Sequence, residues 1–468
     1  MRRRLVRPTY VLSIMLLLGL CVLSLSVSPP STFAPGTLAS VDTALTMSAS
    51  TLPPQLPALL ISTTSYITYL PIILATQSPA SSVSFPVGPG STDVIPHQLV
   101  RTGDDRLYIF VSQENATAIR AYWTSTPGLP NAQTAFTGFT QTTESGYPIS
   151  LDAVYDGGNI IHVLVNTNDT GLLRDYPFDL TTNSFKSALT LASDSQTVQG
   201  YYLGSSGVSG MVDKNGRLHV AYWSNGNHIT HCAYTYNSSA NALALVNGPN
   251  TVDTNGSANH PVVAVSPLDN SLTIAWVSEA TSPAKILART RTSAGNWSGI
   301  EAVSTAPVWT STDAGINIDQ GPSLVIGSDG TRHLAYIEDW AITQPYEYGR
   351  IHYAANPGTG WTDQALDAYT HDPALALNSS GQLYIIGHGH SLNQVCQDDN
   401  DMCTIKKNSN GTWGTPQLFA AHSGSSSFDS SPSVKWSVVG FNRPQTIEFL
   451  FFSTPYDNPT VYYARLGG

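Results

Sequence analysis

After about residue 82, short apolar runs alternate with polar turns in a unit that recurs seven times along the chain. In each unit an apolar run leads to a Gly, Asn or Asp turn, a second apolar run carries a His or Tyr, and a third ends in aromatic residues. The clearest copies begin at Val208 and Gly321; weaker copies begin near Leu99, Ile149, Val262, Pro373 and Pro432. Their spacing of roughly 50 to 60 residues is typical of a propeller or a repeat array.

Each unit can be divided into four short strands, and no segment shows helical periodicity. The outer strand is marked by a tryptophan, as in Asn296–Ser304, Gly360–Leu366 and Thr412–Phe419. Short, evenly spaced strands with one aromatic signature per unit are typical of a β-propeller. We therefore predict an all-β fold, a seven-bladed propeller of four-stranded antiparallel blades, over residues 82–468.

The last unit predicts how the propeller closes. It supplies only three strands, at Pro432–Trp436, Thr446–Phe452 and Thr460–Leu466, before the chain stops. The fourth strand is expected from Ser84–Gly88, just ahead of the first unit. Pairing the two ends of the chain in one blade would remove the exposed strand edges of an open array.

The N-terminal segment indicates export. Arginines at positions 2, 3, 4 and 7 precede an apolar stretch from about Tyr10 to Val27, the pattern of a signal peptide. Because the stretch is long, an uncleaved signal anchor over residues 1–27 remains the alternative. Residues 28–81 have the Ser, Thr, Pro and Ala content of a linker or stalk, interrupted by the apolar Tyr66–Leu74. We expect a secreted or cell-surface protein, held to the membrane only by this segment.

Composition narrows the range of partners. Charged residues make up 11% of the chain, and the net charge is −11. A nucleic-acid-binding surface needs a basic patch, and the sequence shows none. We expect a monomer that binds a carbohydrate or another surface polymer.

Three strings resemble the Asp-box (BNR) repeats of the sialidase-like propeller superfamily. They lie at residues 292–297, 355–361 and 408–413, and each keeps the Gly and Trp of the motif but lacks its Asp. The resemblance implies the propeller fold. Sialidases also hold a substrate carboxylate with three arginines, and the nearest candidates here, Arg217, Arg332 and Arg350, do not make up such a set.

A second resemblance concerns propeller polysaccharide lyases, whose repeats often contain Asp-Gly-x-Ile/Leu-His-Val. Residues 215–220 and 329–334 are similar to that string. The phrase is also found in propellers without catalytic activity, so it implies a shared fold more than a shared reaction.

Loops on one face of a propeller usually carry its function, because the rigid blades present them together. On that face Glu338, Asp339, His371, His388 and His390 are the candidate catalytic residues, since carboxylates and imidazoles can transfer protons. Flat aromatic rings can stack on sugars, so Trp340 is a candidate ligand-binding residue. The remaining ligand-binding candidates are Trp223, His260 and Asp372. The alternative for all of them is an ordinary solvated loop, and recurring strand histidines such as His162, His219 and His333 are expected to be structural.

Cysteines and acidic residues cluster near residue 400. Cys396 and Cys403 flank a short polar loop in a chain predicted to be exported, which predicts a disulfide between them. The loop holds Asp398, Asp399 and Asp401, oxygen ligands of the kind that calcium prefers. It lacks the spacing of an EF-hand, so calcium and a purely solvated acidic loop both remain open, and no other cofactor is expected.

Three hypotheses for function remain open. The chain is an exported propeller that binds a carbohydrate or another surface polymer without cleaving it; a hydrolase or lyase acting on a polysaccharide; or a module that displays a protein-binding surface. Only the enzyme hypothesis requires the candidate histidines.

Overall fold

The structure is a computed structural model that describes residues 83–87, 96–112, 117–144, 148–167, 171–196, 207–308, 321–338, 349–370, 373–388, 402–420, 427–455 and 460–467. The predicted leader (1–27) and the predicted stalk (28–81) lie outside the described residues. Within the described part of the chain, no helix is both long enough and apolar enough to cross a membrane.

Seven antiparallel sheets follow one another along the chain, as the repeat predicted. Blade 1 contains β2 (His97–Arg101), β3 (Leu107–Ser112), β4 (Ala118–Thr124) and β5 (Phe136–Thr143); blade 2 contains β6 (Pro148–Tyr155), β7 (Ile160–Thr167), β8 (Leu173–Asp179) and β10 (Leu189–Ala192), with the two-residue β9 (Ser184–Phe185) beside β8; blade 3 contains β11 (Val208–Val212), β12 (Arg217–Ser224), β13 (His228–Asn237) and β14 (Ala242–Thr251); blade 4 contains β15 (Ala258–Val265), β16 (Leu272–Ser278), β17 (Lys285–Arg291) and β18 (Trp297–Ala302).

The remaining blades repeat this arrangement. Blade 5 contains β19 (Ser323–Ile326), β20 (Arg332–Glu338), β21 (Gly349–Asn356) and β22 (Thr362–Thr370); blade 6 contains β23 (Ala374–Leu377), β24 (Leu383–His388), β25 (Met402–Lys406) and β26 (Gln417–Ala420); blade 7 contains β27 (Ser427–Ser433), β28 (Ile447–Pro455), β29 (Thr460–Leu466) and β1 (Val83–Pro86). The only helix in these segments is one turn of 3₁₀ helix, Gln133–Ala135.

The position of a strand within its blade explains its sequence pattern. The second strand of blade 1, β3, is buried at every position because neighbouring blades cover both of its faces. The outer strand β5 instead alternates between half-buried and exposed residues, since only one of its faces packs inward. Apolar clusters between consecutive blades form the core.

The predicted closure is confirmed. β1 pairs antiparallel with β29, with Val83 opposite Arg465 and Pro86 opposite Tyr462, and so completes blade 7. A buried network reinforces the joint between the first and last blades: the Arg101 guanidinium of β2 binds the Glu448 carboxylate of β28 through Nε at 2.6 Å. Tyr463 Oη donates a 2.6 Å hydrogen bond to the same carboxylate.

One strand of the last blade was predicted wrongly. The inner strand of blade 7 is Ser427–Ser433, not Pro432–Trp436. Residues 434–446 form a connection between β27 and β28, which we call the crossing segment. Its apolar residues pack against blades on several sides of the ring, with Trp436 against blades 5 and 6 and Val439 against blades 1, 2 and 3.

The strings that resemble Asp boxes form tight turns between third and outer strands. Thr292 N bonds to Asn296 O at 2.9 Å, and Asn408 N bonds to Thr412 O at 2.7 Å. Gly295 adopts a φ of 96° in the first of these turns, a conformation that favours glycine. The retained Gly is therefore explained by the turn itself.

Candidate functional site

The seven inner strands surround a cavity of about 180 Å³ on the propeller axis. Its wall is made of inner-strand residues from all seven blades, and it includes prolines from five of them: Pro96, Pro261, Pro322, Pro373 and Pro432. An inner strand is an edge strand, so a proline in it or just before it leaves no unpaired N–H at that position. We call the face on which the inner strands begin the loop face.

The crossing segment occupies the opposite end of the axis. Lys435 and Trp436 line the cavity, and the segment then runs along the turns that join first to second strands. There Ser379 N of blade 6 donates to Arg443 O at 3.0 Å. Gly440 sits so close to Arg101 O that a Cβ on it would lie 2.7 Å from that oxygen, so a side chain at 440 would displace the segment.

A buried ion pair fixes the crossing segment to blades 2 and 3. Lys435 Nζ lies 2.8 and 2.7 Å from the two carboxylate oxygens of Asp152 and 2.8 Å from Gly210 O. The side chains are 11% and 6% exposed, so solvent screens the pair weakly. Asp152 also accepts from Gly210 N at 2.7 Å, which joins three separate parts of the chain.

Uncharged polar groups link the inner strands to one another around the cavity. Gln98 Nε2 donates to Asp152 at 3.1 Å, and Ser433 Oγ donates to Gln98 Oε1 at 2.6 Å. Ser209 Oγ accepts from Val263 N at 3.1 Å, and Ser323 Oγ accepts from Leu375 N at 2.9 Å. The cavity wall thus combines apolar side chains and prolines with a few hydroxyls, an amide and the internally neutralised Lys435–Asp152 pair.

Two predicted ligand-binding residues, Trp223 and His260, lie at the loop-face end of the joint between blades 3 and 4. Trp223 is near the end of β12 and packs against the apolar cluster that contains Ala258 and Val263. His260 lies in β15 between those two residues and is 6% exposed. The indole Nε1 of Trp223 and the imidazole Nε2 of His260 are both buried without a hydrogen-bond partner.

His260 occupies an unusual conformation. Its φ is 49°, in the left-handed region that residues with a Cβ seldom adopt, and the pairing of β15 with β16 is irregular at this position. Burial lowers the pKa of His260 to about 4, so the ring is neutral near pH 7. Its Nδ1 lies 2.9 Å from Asn259 Oδ1, and Asn259 Nδ2 donates to Glu279 Oε1 at 3.0 Å.

Glu338, a predicted catalytic residue, belongs to a second cluster in blade 5. Its carboxylate lies 3.1 Å from His352 Nε2, and His352 Nδ1 lies 3.0 Å from Asp363 Oδ1. Tyr336 Oη donates to Asp363 Oδ2 at 2.6 Å. Burial would raise the pKa of Asp363, but hydrogen bonds from His352, Thr305 and Tyr336 outweigh it and hold this pKa below its usual range. The Glu338 side chain is 23% exposed and the Asp363 side chain 1% exposed.

Five of the other predicted site residues lie outside the described part of the chain: Asp339, Trp340, His371, Asp372 and His390. So do Cys396 and the proposed calcium ligands Asp398, Asp399 and Asp401. His388 ends β24, but its side chain is not among those described. Cys403 is disulfide-bonded, whereas Cys232 is free and buried. The pairing of Cys403 with Cys396 stays a prediction.

Of the recurring strand histidines, which we expected to be structural, His162 and His219 are buried and His333 is half-buried, and all three have side-chain partners. His162 Nδ1 lies 2.7 Å from Asp175 Oδ2, and this carboxylate raises the pKa of His162 against the effect of burial. His219 lies between His231 and Asp213, and His333 Nδ1 lies 2.7 Å from Tyr353 Oη.

The three arginines considered from the sialidase resemblance do not converge. Arg217 pairs with Asp213 in blade 3, and Arg332 pairs with Glu301 of blade 4. Arg350 Nε donates to Leu366 O at 2.9 Å within blade 5. No group of three or more His, Cys, Asp or Glu side chains in the described segments is arranged to hold a metal ion.

Several residues of these sites were not identified from the sequence. Lys435 is the only charged residue in the apolar run from Val434 to Val439, and a lone charge in such a run could have indicated a buried ion pair. His352 stands in a repeat copy but was not weighed as a partner of Glu338. Nothing in the sequence singled out Asn259, because its contact with His260 depends on the left-handed backbone of that next residue.

Comparisons with known proteins agree with the fold and go no further. No protein-family model and no curated protein matches the chain. Among solved structures it is similar to polysaccharide lyase Uly1 (10% identity, 81% of this chain and 90% of that chain, TM-score 0.47). It is also similar to Kuenenia stuttgartiensis hydrazine synthase (12% identity, 80% and 95%, TM-score 0.47). A third similar structure is a mutant of Aleuria aurantia lectin in complex with α-methyl-L-fucoside (13% identity, 72% and 99%, TM-score 0.37).

Proposed function

We propose that this protein is an exported propeller that binds a carbohydrate or another surface polymer with its loop face, without cleaving it. The observation that carries the proposal is the asymmetry of the central cavity. Residues of all seven inner strands form its wall, and the crossing segment, which follows the last inner strand, fills the end of the axis opposite the loop face. A ligand therefore approaches from the loop face.

The chemistry of this face suits a neutral, hydroxyl-rich ligand. Apolar side chains line most of the cavity, hydroxyl and amide groups stand among them, and the Lys435–Asp152 ion pair in its wall is neutralised internally. Sugars are recognised by such groups, with a few polar atoms fixing orientation and apolar surface covering the ring. The cavity volume of about 180 Å³ is below the roughly 300–1,000 Å³ of pockets that enclose a drug-sized ligand, so the cavity admits a single small group and not a folded polymer.

The geometry of the blade 5 cluster favours binding over hydrolysis by two carboxylates. Glycosidases of that kind need both carboxylates in contact with the substrate. Here an imidazole separates Glu338 from Asp363, and the Asp363 side chain is 1% exposed. Only Glu338 of this pair can reach a substrate.

The second candidate function is a hydrolase or lyase acting on a polysaccharide, with Glu338 as the proton-transfer group. The hydrogen bond from His352 favours it, because an imidazole beside a carboxylate can share a proton with it. Under this hypothesis the His352→Asn variant loses turnover but keeps ligand binding. Release of reducing ends, or of unsaturated sugars, is the measurement that separates the two functions.

The proposal places the protein outside the cell, released or anchored by its N-terminal segment. The test is a glycan array probed with the full-length protein in mild detergent, together with a reducing-end assay on every glycan that binds. We expect binding to a restricted set of glycans and no release of reducing ends. Binding to none of them would refute the proposed function, and release of reducing ends would replace it with the enzyme hypothesis.

A further inference from the structure

An imidazole and a carboxylate are paired on the loop face of blade 3. His228 begins β13 directly after the turn from β12, and Asp253 lies in the connection from β14 to blade 4. Both segments open on the loop face, because second and outer strands end where inner strands begin. His228 Nδ1 lies 2.9 Å from Asp253 Oδ2. The His228 side chain is 37% exposed and the Asp253 side chain 4%, so the ring reaches solvent while the carboxylate is shielded behind it.

The hydrogen bonds of Asp253 decide which nitrogen of His228 can meet a ligand. Ile229 N donates to Asp253 Oδ1 at 2.7 Å, and Gly256 N donates to Oδ2 at 2.9 Å. Because these N–H groups make the carboxylate an acceptor, Nδ1 of the neutral ring carries the proton and donates it to Asp253. Nε2 then presents a lone pair, and it makes no hydrogen bond to any residue in the described part of the chain.

Two glycines keep the Nε2 edge of the His228 ring open. A Cβ on Gly226 would lie 3.3 Å from Cδ2, a Cβ on Gly256 would lie 3.6 Å from Cε1, and each would lie 3.9 Å from Nε2. Side chains at these two positions would therefore cover the acceptor atom. Both residues also adopt left-handed backbones, with φ of 86° and 69°, which glycine tolerates best. The ring is held between two stretches of backbone that leave Nε2 accessible.

The two segments around His228 are fixed to each other. Ala258 N donates to Asn227 O at 2.8 Å, and Val252 N donates to Ile229 O at 2.8 Å. Ser257 keeps a left-handed backbone at φ 54° although it has a Cβ, a strained conformation of the kind found at binding sites. A contact built on such fixed loops loses little conformational entropy when a ligand binds.

The surroundings of Nε2 suit a neutral ligand. Each of the two glycines follows an asparagine, Asn225 or Asn255, and both asparagines are exposed. Residues 224–228 and 252–257 contain no Lys or Arg, and their one carboxylate, Asp253, lies behind the ring. An anionic ligand would meet no side-chain cation from these segments and would be repelled by Asp253. A neutral hydroxyl can instead donate to Nε2, and amides can bind the hydroxyls beside it.

From this arrangement we infer that the loop face binds a neutral sugar at His228, whose Nε2 accepts a hydrogen bond from one sugar hydroxyl. The exposed amides of Asn225 and Asn255, next to the two glycines, bind further hydroxyls. Asp253 is a positioning residue that holds the imidazole in the accepting tautomer. This inference rests on the proposed function, and it adds where on the loop face the ligand binds and that the ligand is uncharged.

The first test uses the full-length protein in mild detergent, labelled with ¹⁵N at histidine, at pH 8. The probes are the methyl α-glycosides of glucose, galactose, mannose and fucose, with that of glucuronic acid as the charged comparison. The free protein should show a protonated Nδ1 and a bare Nε2 at His228. At least one neutral probe should shift this Nε2 resonance, and the glucuronide should not. His162, buried and paired with Asp175, is the internal control and should not shift.

Variants of the imidazole and its partner separate ligand binding from stability. His228→Asn keeps an amide N–H near the position of Nδ1 but has no atom at Nε2, so binding of the active probe should weaken about five- to tenfold, the size of one hydrogen bond. His228→Gln can bring an amide oxygen near that position and should recover part of the binding. Asp253→Asn should increase the fraction of rings protonated at Nε2, a spectroscopic change that a merely structural role would not produce.

A matched pair of asparagine variants tests the amides. Asn225→Ala should weaken binding of the active probe. Asn215→Ala should not, although Asn215 is also exposed and also precedes a left-handed glycine of blade 3, because its turn joins β11 to β12 on the opposite face.

Three results would overturn the inference: a protonated Nε2 in the free protein, an Nε2 resonance that no neutral probe shifts, and equal binding by His228→Asn and the wild type. If array glycans bind while any of these is found, the site at His228 is wrong but the proposed function stands. If no array glycan and no probe binds, both fail.

Discussion

Breaking the ion pair between Lys435 and Asp152 should destabilise the propeller strongly, because the pair joins the crossing segment to blades 2 and 3. In Lys435→Met the apolar stem is largely kept, but Asp152 becomes a buried carboxylate without a cation. Removing one partner of a buried pair costs about 3–5 kcal/mol. Asp152 keeps hydrogen bonds from Gly210 N, Ala153 N and Gln98 Nε2, so we expect a loss of about 3 kcal/mol.

The measurement is urea unfolding of the full-length protein at pH 7, followed by tryptophan fluorescence. Lys186→Met is the matched control, because its ion pair with Asp179 is more exposed and should contribute less than about 1 kcal/mol. The double variant Asp152→Asn/Lys435→Met removes the uncompensated charge and should be more stable than Lys435→Met alone. Equal losses in Lys435→Met and Lys186→Met, or no recovery in the double variant, would refute the reasoning.

Three further predictions concern closure, redox state and pH. Deleting residues 1–95 removes β1 and should destabilise the domain by several kcal/mol, whereas deleting 1–78 should not, so equal melting temperatures would contradict the closure. Peptide mapping of unreduced protein should find Cys403 linked to Cys396. A different partner for Cys403 would contradict this prediction. An unfolded histidine binds a proton near pH 6.5, but folded His260 resists protonation until about pH 4, so stability should fall as the pH drops through this window. The free energy of unfolding should fall by about 3 kcal/mol in the wild type, and His260→Gln should lack this contribution. If the stability of the two proteins falls in parallel with decreasing pH, the prediction is wrong.

The architecture could be predicted because local sequence patterns indicate it. Apolar runs and polar turns recur in each unit, a tryptophan marks the outer strand in three of them, and the short last unit indicated that the N-terminal end must complete it. The inner strand of blade 7 was misplaced because residues 434–439 are as apolar as a strand. Their apolar side chains pack instead against several other blades, a long-range contact that no local period reveals.

The sites were less predictable, for a physical reason. Trp223, His260 and Glu338 were recognised by residue type and loop position. Their chemistry depends on partners distant in sequence or conformation, such as His352 for Glu338 and the left-handed backbone for His260.

The central claim is that the loop face is the binding surface, and hydrogen exchange with and without a glycan identified on the array tests it most directly. The account predicts slower exchange in residues 224–228 and 252–260, which lie at the loop-face end of blades 3 and 4. It predicts unchanged exchange in the crossing segment, residues 434–446, at the opposite end of the axis. Protection confined to the crossing segment or to the turns beside it would contradict the claim.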